Sequence, residues 1–213
     1  MPLRVVTGEA KGRKLKTLKT MTGTRPIMDR VKTALFDILA NEVRGSRFLD
    51  LFAGTGGVGI EALSRGAAHT TFIEMDRKIM QLVRDNLQIT KLADRADTLQ
   101  ADAFKFLEQA ASSFARRAPY DIVYVAPPQY HEMAARALSL LDSSPLVPDT
   151  GLVIVQVDPK ERASVVSVSC TRLHLVRERR YGNTLLMFYR GPAVTGEAED
   201  EENEAEQEEE SGL

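Results

Sequence analysis

The feature that most constrains this chain is a glycine-rich run, Gly54-Thr-Gly56-Gly-Val-Gly59, placed between an apolar segment and a helical one. Residues 48–53 have the apolar composition of a buried strand, and residues 58–65 predict a helix that stops at Gly66. In a strand-turn-helix unit, the G-x-G-x-x-G pattern lets the backbone turn tightly and approach a bound ligand closely. The run therefore predicts a nucleoside-binding turn. A plain strand-to-helix turn is the alternative interpretation.

The same rhythm of strand and helix continues through most of the chain. We predict further strands at 70–75, 97–100, 121–125 and 152–157, and further helices at 77–90, 103–111 and 131–141. Alternating strands and helices favour a parallel sheet covered on both faces. Residues 171–180 and 184–190 are extended segments with no helix between them, so they predict an antiparallel hairpin at the sheet edge. The expected fold class is α/β, a Rossmann-like and mostly parallel sheet with an antiparallel C-terminal hairpin.

The two ends of the chain differ from this middle part. Extended segments at 3–6 and 14–18 predict a small N-terminal β-hairpin with a basic turn, and helical periodicity follows over 29–40. The glutamate-rich end cannot bury a core and should be disordered. We therefore expect a basic N-terminal appendage packed on a main domain, followed by an acidic tail, with the divisions 1–40, 41–192 and 193–213.

The formal net charge of −2 conceals a segregation of charge along the chain. Residues 197–210 contain ten acidic and no basic residues, and without them the chain has 28 basic and 20 acidic residues. The first 32 residues contain nine Lys or Arg against two acids, Glu9 and Asp29. A basic body with a basic N-terminal end favours a polyanionic partner such as nucleic acid, although a solvated lysine-rich surface would have the same composition.

Composition excludes several other classes of protein. The single cysteine, Cys170, excludes an intramolecular disulfide and a multi-cysteine zinc site, and the three histidines are scattered without ligand spacing. We therefore expect no metal. No apolar run approaches the roughly 20 residues of a membrane span, and the N-terminus lacks the pattern of a signal peptide. These features predict a cytoplasmic protein that does not associate with a membrane.

Carboxylates at the ends of the predicted strands indicate which ligand the glycine turn binds. Glu74 lies 20 residues after Gly54, at the end of the second strand, where a carboxylate can accept both hydroxyls of a ribose. S-adenosylmethionine has no phosphate and carries a sulfonium and an amino group, so it favours an acidic residue before the glycines, where Asp50 stands. Asp102 follows the third strand and either contacts an adenine amino group or only caps the next helix.

A second motif, Ala126-Pro127-Pro128-Gln129-Tyr130, follows the fourth strand. In an open α/β sheet this edge is where substrate meets cofactor. Two prolines fix the backbone and lack N–H donors, which leaves carbonyls free to accept hydrogen bonds from a substrate amine. Tyr130 is placed to stack on a base flipped out of its helix. The alternative interpretation is a strand-terminating Pro-Pro step with a packed tyrosine.

Taken together, these segments resemble the RsmD family of bacterial 16S ribosomal RNA guanine-N2 methyltransferases over nearly all of residues 3–190. The likeness rests on three elements, none of which is specific alone. They are Arg4-Val-Val-Thr-Gly8 with Gly12-Arg-Lys-Leu15, Thr24-Arg-Pro-Ile-Met-Asp-Arg-Val31 with Ala34-Leu-Phe36, and Phe48-Leu-Asp-Leu-Phe-Ala-Gly-Thr-Gly56 with Phe72-Ile-Glu-Met-Asp76.

The resemblance implies a class I methyltransferase fold, S-adenosyl-L-methionine as donor, and a guanine of small-subunit ribosomal RNA as substrate. It also implies that the RNA, free or in a partly assembled subunit, is bound in part through phosphate contacts of the basic N-terminal arm. By position it implies a cofactor site made of Arg25, Asp50, Phe52, Gly54, Gly56, Glu74, Met75, Asp102 and Ala103. The implied reaction site is made of Ala126, Pro127, Pro128 and Tyr130.

The Pro-Pro motif departs from the pattern of amino-methylating relatives, which have Asp or Asn before the prolines and Phe or Tyr directly after them. Here Ala126 offers no side-chain acceptor, and Tyr130 comes one residue late, so the carbonyls of Ala126 and Pro127 would hold the amine, helped by Gln129. The departure keeps open a second hypothesis, a non-catalytic RNA-binding or ribosome-assembly factor with the same fold. A third, a nicotinamide-dependent oxidoreductase, is disfavoured because the Pro-Pro motif has no role in hydride transfer.

Overall fold

A computed structural model describes residues 3–17, 29–112, 119–128 and 132–192. In these ranges one sheet contains β1 (Arg47–Asp50), β2 (His69–Glu74), β3 (Ala96–Gln100), β4 (Ile122–Val125), β5 (Leu152–Val157), β6 (His174–Tyr181) and β7 (Thr184–Arg190). The α-helices are α1 (Asp29–Leu39), α2 (Gly57–Ser64), α3 (Arg77–Thr90), α4 (Ala103–Ser112), α5 (Met133–Asp142) and α6 (Arg162–Val166).

The strand order of the sheet is β3-β2-β1-β4-β5-β7-β6. The first five strands are mutually parallel, whereas β7 is antiparallel to both of its neighbours, β5 and β6. The predicted fold class is therefore confirmed, including the antiparallel C-terminal hairpin, of which β6 is the outermost strand. Because β1 lies between β2 and β4, the chain order reverses there, and the carboxyl ends of these strands border a crevice.

Apolar side chains cover both faces of the sheet, as a parallel sheet requires. On one face α4, α5 and α6 pack on the central strands in a cluster that includes Leu107, Leu138 and Val153. On the other face α1 packs on β1 and β4 through Leu35, and α2 and α3 pack around Phe72. The two layers of helices leave the carboxyl edge of the sheet available for a ligand.

Some element boundaries differ from those predicted from the sequence. β6 starts later than expected because the backbone N–H groups of residues 171–173 donate to the carboxylate of Asp142 (2.7–2.9 Å) instead of to a strand. β1 ends at Asp50 because residues 51–53 already turn into the glycine loop. The sequence pattern did not predict α6, since five residues are too few to display helical periodicity.

The predicted N-terminal hairpin forms a pair of extended segments joined by a single antiparallel bridge between Arg4 and Lys14. The backbone N–H of Leu15 donates to the carbonyl of Leu3 (2.8 Å), and both side chains are buried in the cluster that contains α2 and α3. The appendage is thus part of the same packed unit as the sheet. The divisions at residues 40 and 192 stay predictions, and the acidic tail lies outside the described residues.

A buried carboxylate at Glu61 in α2 anchors the N-terminal segment. Its two oxygens accept the backbone N–H groups of Val6 (2.8 Å) and Thr7 (2.9 Å), so the segment is docked on α2 by side-chain-to-backbone bonds. The Nε of Arg65, one turn further along α2, also donates to this carboxylate (3.0 Å). These bonds satisfy the carboxylate in a place from which water is excluded.

A second cation beside Glu61 is Lys32 of α1. It occupies a buried position at which the sequence pattern favours an aliphatic residue. The Lys32 Nζ lies 3.3 Å from a Glu61 oxygen, and both side chains have no exposed surface. The same Nζ donates to the carbonyl of Arg4 (2.6 Å). One ion pair therefore ties α1, α2 and the N-terminal segment together.

In the part of the chain that the structure describes, no helix is long and apolar enough to cross a membrane.

Removal of the Lys32 charge should destabilise the fold strongly. In Lys32→Met the buried Glu61 carboxylate loses one of the positive charges that balance it. Removing one partner of a buried ion pair lowers the free energy of unfolding by about 3–5 kcal/mol. Urea unfolding followed by circular dichroism measures this loss. The matched control is Lys16→Met, which breaks the solvent-exposed Lys16–Asp85 pair and should lower the free energy of unfolding far less. Equal losses in the two variants would contradict the anchoring role.

Candidate cofactor and substrate site

A cleft of about 260 Å³ opens at the carboxyl edge of the sheet, where the order of the strands reverses. Its walls come from the chain immediately after β1, β2, β3 and β4. The residues that line it are Leu51, Phe52, Gly54, Ile73, Glu74, Met75, Ile79, Ala101, Asp102, Ala103, Phe104, Ala126, Pro128 and Met133. Both sequence motifs, the glycine loop and the Pro-Pro segment, therefore border one cavity.

The glycine loop leads from β1 into α2 and leaves space on its cleft side. Gly54 has a left-handed backbone (φ +52°), and no atom lies within 4 Å of the position that a Cβ would occupy there. Gly59 faces the other way, and a Cβ there would lie 2.3 Å from the ring of Phe72. The first glycine thus keeps the cleft open, while the last lets α2 approach β2 closely.

The loop is held from behind by a side chain of α3. The Nδ2 of Asn86 donates to the carbonyl of Thr55 (3.0 Å) and to that of Lys16 (3.1 Å), and Asn86 is fully buried. The N-terminal segment and the glycine loop consequently share one hydrogen-bonded support. Nothing in the sequence pattern marked Asn86, because a polar residue inside an amphipathic helix is normally assigned to the exposed face.

Glu74 stands at the end of β2 and borders the cleft. One carboxylate oxygen accepts the N–H of Gly54 (3.1 Å), and the other accepts the N–H of Asp76 (2.9 Å). These two bonds fix the orientation of the carboxylate, and each oxygen keeps a lone pair for a ligand hydroxyl. The position suits the predicted contact with a ribose.

Asp50 lies at the end of β1 but does not line the cleft. Its side chain is 1% exposed, and one oxygen accepts the N–H of Gly59 in the first turn of α2 (3.0 Å). The pKa of Asp50 is raised from 3.8 to about 7. Burial is the largest cause, the hydrogen bond from the Gly59 N–H opposes it, and the negative charge of Glu74 adds to it. A nearby cation would favour the ionised form. A cofactor contact at Asp50 stays a prediction.

Asp102 caps α4, one of the two roles considered for it from the sequence. It also borders the cleft. Its Oδ1 accepts the N–H of Lys105 (2.9 Å) in the first turn of α4. The cap holds the start of α4 beside the cavity, so Ala103 and Phe104 form part of the wall. Capping and ligand contact are therefore compatible at this residue.

Apolar side chains complete the cleft, and two of them, Ile79 and Phe104, were not singled out from the sequence. The rings of Phe52 and Phe104 meet edge to face with centroids 6.0 Å apart, and the guanidinium of Arg136 lies 4.1 Å from the centroid of Phe104. Met75 is 67% exposed and stands with Ile79 on another part of the wall. Phe104 and Ile79 belong to helices whose apolar stripe predicted core packing, so only the three-dimensional structure assigns them to a ligand surface.

The Pro-Pro segment begins just beyond the last paired residues of β4. Ladder pairing with β5 ends at Val125, opposite Val155. Ala126 and Pro128 line the cleft, whereas Pro127 is buried and does not. That this segment presents backbone carbonyls to a substrate stays a prediction.

Not every predicted site residue is brought to the cleft. Asp50, Gly56 and Pro127 support it without lining it. Arg25 and Tyr130, together with Gln129, lie outside the described residues. The remaining predicted residues line the cleft, and they are Phe52, Gly54, Glu74, Met75, Asp102, Ala103, Ala126 and Pro128.

The chemistry of the cleft suits a nucleoside that carries no phosphate. Its described lining contains two carboxylates, Glu74 and Asp102, and no Lys or Arg, which disfavours a pyrophosphate. Carboxylates accept hydrogen bonds from hydroxyl and amino groups, and the apolar walls suit a base. Among all the residues that the structure describes, no group of three or more His, Cys, Asp and Glu residues could hold a metal ion.

The strand order and the position of the cleft are those of the class I S-adenosylmethionine-dependent methyltransferase fold. An RNA methyltransferase from Salinibacter ruber, solved with S-adenosyl-L-homocysteine, shares this fold at 17% identity with a TM-score of 0.59, covering 81% of this chain and 97% of that one. The structure of yhhF from Escherichia coli superposes with a TM-score of 0.76 at 33% identity and covers 90% of this chain and 98% of that one.

The sequence comparison is more specific. The model of the family described as conserved hypothetical protein 95 matches residues 3–190. Ribosomal RNA small subunit methyltransferase D of Escherichia coli K12 is 34% identical over 191 residues, 90% of this chain and 91% of that protein. The chain therefore belongs to this family, the RsmD family that its sequence motifs predicted.

The open space beside Gly54 allows the role of the glycine loop in ligand binding to be tested. Gly54→Ala should weaken S-adenosylmethionine binding about tenfold or more, because the new Cβ narrows the cleft mouth and strains the loop. Calorimetric titration measures the affinity. Gly12→Ala is the control, since Gly12 has a similar left-handed backbone (φ +81°) with nothing within 4 Å and lies outside the cleft. If both variants lose affinity alike, the loop has no direct part in binding.

Asp50 should make stability depend on pH. Its folded pKa of about 7 exceeds the ordinary value of 3.8, so the folded state retains a proton that the unfolded state loses between these values. The free energy of unfolding therefore falls as pH rises from 4 to 7, by up to roughly 4 kcal/mol, and levels off above pH 7. Urea unfolding across this range, compared with Asp50→Asn, isolates the contribution. In Asp50→Asn the free energy of unfolding should no longer show this fall between pH 4 and pH 7. An identical pH dependence in the two proteins would contradict the role of Asp50.

Proposed function

We propose that the protein transfers a methyl group from S-adenosylmethionine to the exocyclic N2 amine of a guanine in small-subunit ribosomal RNA. Family membership supports an S-adenosylmethionine-dependent methyltransferase, and the Escherichia coli relative is named for the small ribosomal subunit. The observation that supports the proposal is the shared cleft: the Glu74 carboxylate and the glycine loop border the same cavity as the Pro-Pro segment.

We assign the cofactor contacts from the geometry and from the sequence motif. Glu74 would hold the ribose hydroxyls, Met75, Ile79 and Phe104 would surround the adenine, and Asp102 would accept from the adenine amino group. Asp50 and Arg25 would act at the methionine end. S-adenosylmethionine supplies an activated methyl on a sulfonium, so the protein mainly provides alignment for in-line transfer.

The target amine would be held by backbone acceptors. The carbonyls of Ala126 and Pro127 would accept the two N–H bonds of the guanine amine, which points its lone pair towards the cofactor and stabilises the positive charge that develops. Tyr130 would stack on the guanine after it leaves its helix. As the new N–C bond forms, the methyl–sulfur bond breaks, and the displaced amine proton passes to solvent.

A specific observation keeps the non-catalytic hypothesis in view. Ala126 lines the cleft but contributes no side-chain acceptor where amino-methylating relatives have Asp or Asn. A protein with this site would bind ribosomal RNA and S-adenosylmethionine without transfer. We favour catalysis because Glu74, Asp102 and the glycine loop border the same cavity as the Pro-Pro segment.

The direct test is incubation of the full chain with labelled S-adenosylmethionine and undermethylated small ribosomal subunits. Transfer of label to RNA, with N2-methylguanine as the product by mass spectrometry of digested nucleosides, is the expected result. Binding of both ligands without any transfer to subunits or to free RNA would favour the assembly factor instead. Label on another atom or base would retain the enzyme class and refute the guanine-N2 assignment.

Substitutions at the Pro-Pro segment should separate turnover from cofactor binding. Tyr130→Ala should lower kcat by about 100-fold, because the base loses its stacking partner, while S-adenosylmethionine affinity changes less than about threefold. Tyr130→Phe retains the ring and should keep most of the activity. Single-turnover transfer and calorimetric titration supply the two readouts. Equal activity of Tyr130→Ala and wild type would rule out the stacking role.

A further inference from the structure

The outermost strand of the sheet carries three exposed cations, Arg177 and Arg179 on one face and Arg180 on the other, here called the β6 arginine patch. Within the described residues none of the three forms an ion pair. Glu178, which stands between them, bonds to Arg162 of α6 instead (2.9 Å). The patch is thus a local excess of positive charge on a protein surface.

The patch lies at the same edge of the sheet as the cleft. The register of the strands runs from Val125 in β4 to Val155 in β5, Met187 in β7 and Glu178 in β6. Arg179 and Arg180 therefore reach the level of Ala126 and Pro127. Three strand spacings separate β4 from β6, which places the patch roughly 14 Å from the Pro-Pro segment.

Packing supports this proximity. Tyr181, which follows the patch, and Ala126, which lines the cleft, are both packed against the apolar cluster formed by α1 and the central strands. The few hydrogen bonds that the arginines make are to backbone carbonyls: Arg179 donates to Glu178 (2.9 Å) and Arg180 donates to Gly182 (3.1 Å). Guanidinium N–H groups remain for an external acceptor, because each arginine has five.

Charge decides which partner suits this surface. An exposed edge strand can pair with a second copy of the chain, but the arginines of the patch on each copy would repel one another, as charges on natural edge strands do. A polyanion gains from the same arrangement, since guanidinium groups bind phosphates in a bidentate manner. We propose that the β6 arginine patch binds phosphates of the ribosomal RNA that flank the target nucleotide. This inference rests on the proposed RNA substrate.

The N-terminal arm is less well placed for this task than its composition suggested. Three of its cations are used within the chain: Arg4 pairs with Asp29 (3.4 Å), Arg13 donates to the carbonyl of Ile89 (2.7 Å), and Lys16 pairs with Asp85 (2.9 Å). Its turn packs against Ser64 at the end of α2, about 12 Å of helix away from the glycine loop. Lys11 and Lys14 remain exposed for an additional phosphate contact.

The test removes the three charges together. The variant Arg177→Gln/Arg179→Gln/Arg180→Gln should bind undermethylated small subunits at least about tenfold more weakly near 0.1 M salt. The slope of log affinity against log salt should become shallower by about 2, since each lost phosphate contact removes about 0.7. Filter binding from about 50 to about 200 mM salt gives both values. The Lys-substituted counterpart at the same three positions retains the charge and should keep the slope.

A matched control removes three exposed cations away from the cleft edge, in Arg44→Gln/Arg84→Gln/Lys91→Gln. This variant should stay within about threefold of wild type. Equal losses in the two Gln variants, or an unchanged salt slope in the patch variant, would overturn the proposal. Sedimentation of the patch variant provides a further check, because a dimer that appears only in the wild type would assign the strand to self-association instead.

The design also separates this inference from the proposed function. Affinity for S-adenosylmethionine should be unchanged in the patch variant, since no patch residue lines the cleft. If wild type methylates ribosomal RNA and the patch variant binds and turns over normally, only the patch proposal fails. If wild type binds ribosomal RNA through the patch yet transfers no methyl group, only the catalytic proposal fails.

Discussion

The close packing of α2 against the sheet is the constraint on which the rest of the molecule depends. Gly59 allows the contact, because any side chain there would enter the ring of Phe72. From the sheet side Asp50 accepts the N–H of Gly59, and from the outer side Glu61 binds Lys32 and the N-terminal segment. The glycine loop is the short connection between β1 and this clamped helix, so its shape follows from the position of α2.

The charges of the protein are arranged so that the cleft and its surroundings suit different parts of one substrate complex. Inside, Glu74 and Asp102 present carboxylates without a lining cation, which favours hydroxyl and amino groups and a positively charged donor. At the same edge, on the last strand, the β6 arginine patch presents the opposite charge. A base entering the cleft would leave its phosphates outside, where cations stabilise them.

Much of the fold could be predicted because its determinants are local. Apolar runs separated by amphipathic helices defined β1, β2, β4 and β5, and the boundaries of α3, β5 and β7 match those predicted. Where a distant residue decides the local structure, the sequence pattern of one element was not sufficient. The start of β6 depends on Asp142, and the burial of Lys32 depends on Glu61, neither of which a sequence window of one element contains.

The sequence by itself determined the class of fold, the family and the two motifs, because a glycine turn and a Pro-Pro step restrict the backbone wherever they occur. Only the tertiary structure decided which side chains meet. It placed Phe104 and Ile79 in the wall of the cleft and Asp50 behind it. It also showed that Arg4 and Lys16 of the N-terminal arm pair with carboxylates of the protein, while the exposed arginines of β6 form no ion pair within the described residues. The reason is physical: composition counts charges, but strand register and helix packing decide which of them remain uncompensated at the site.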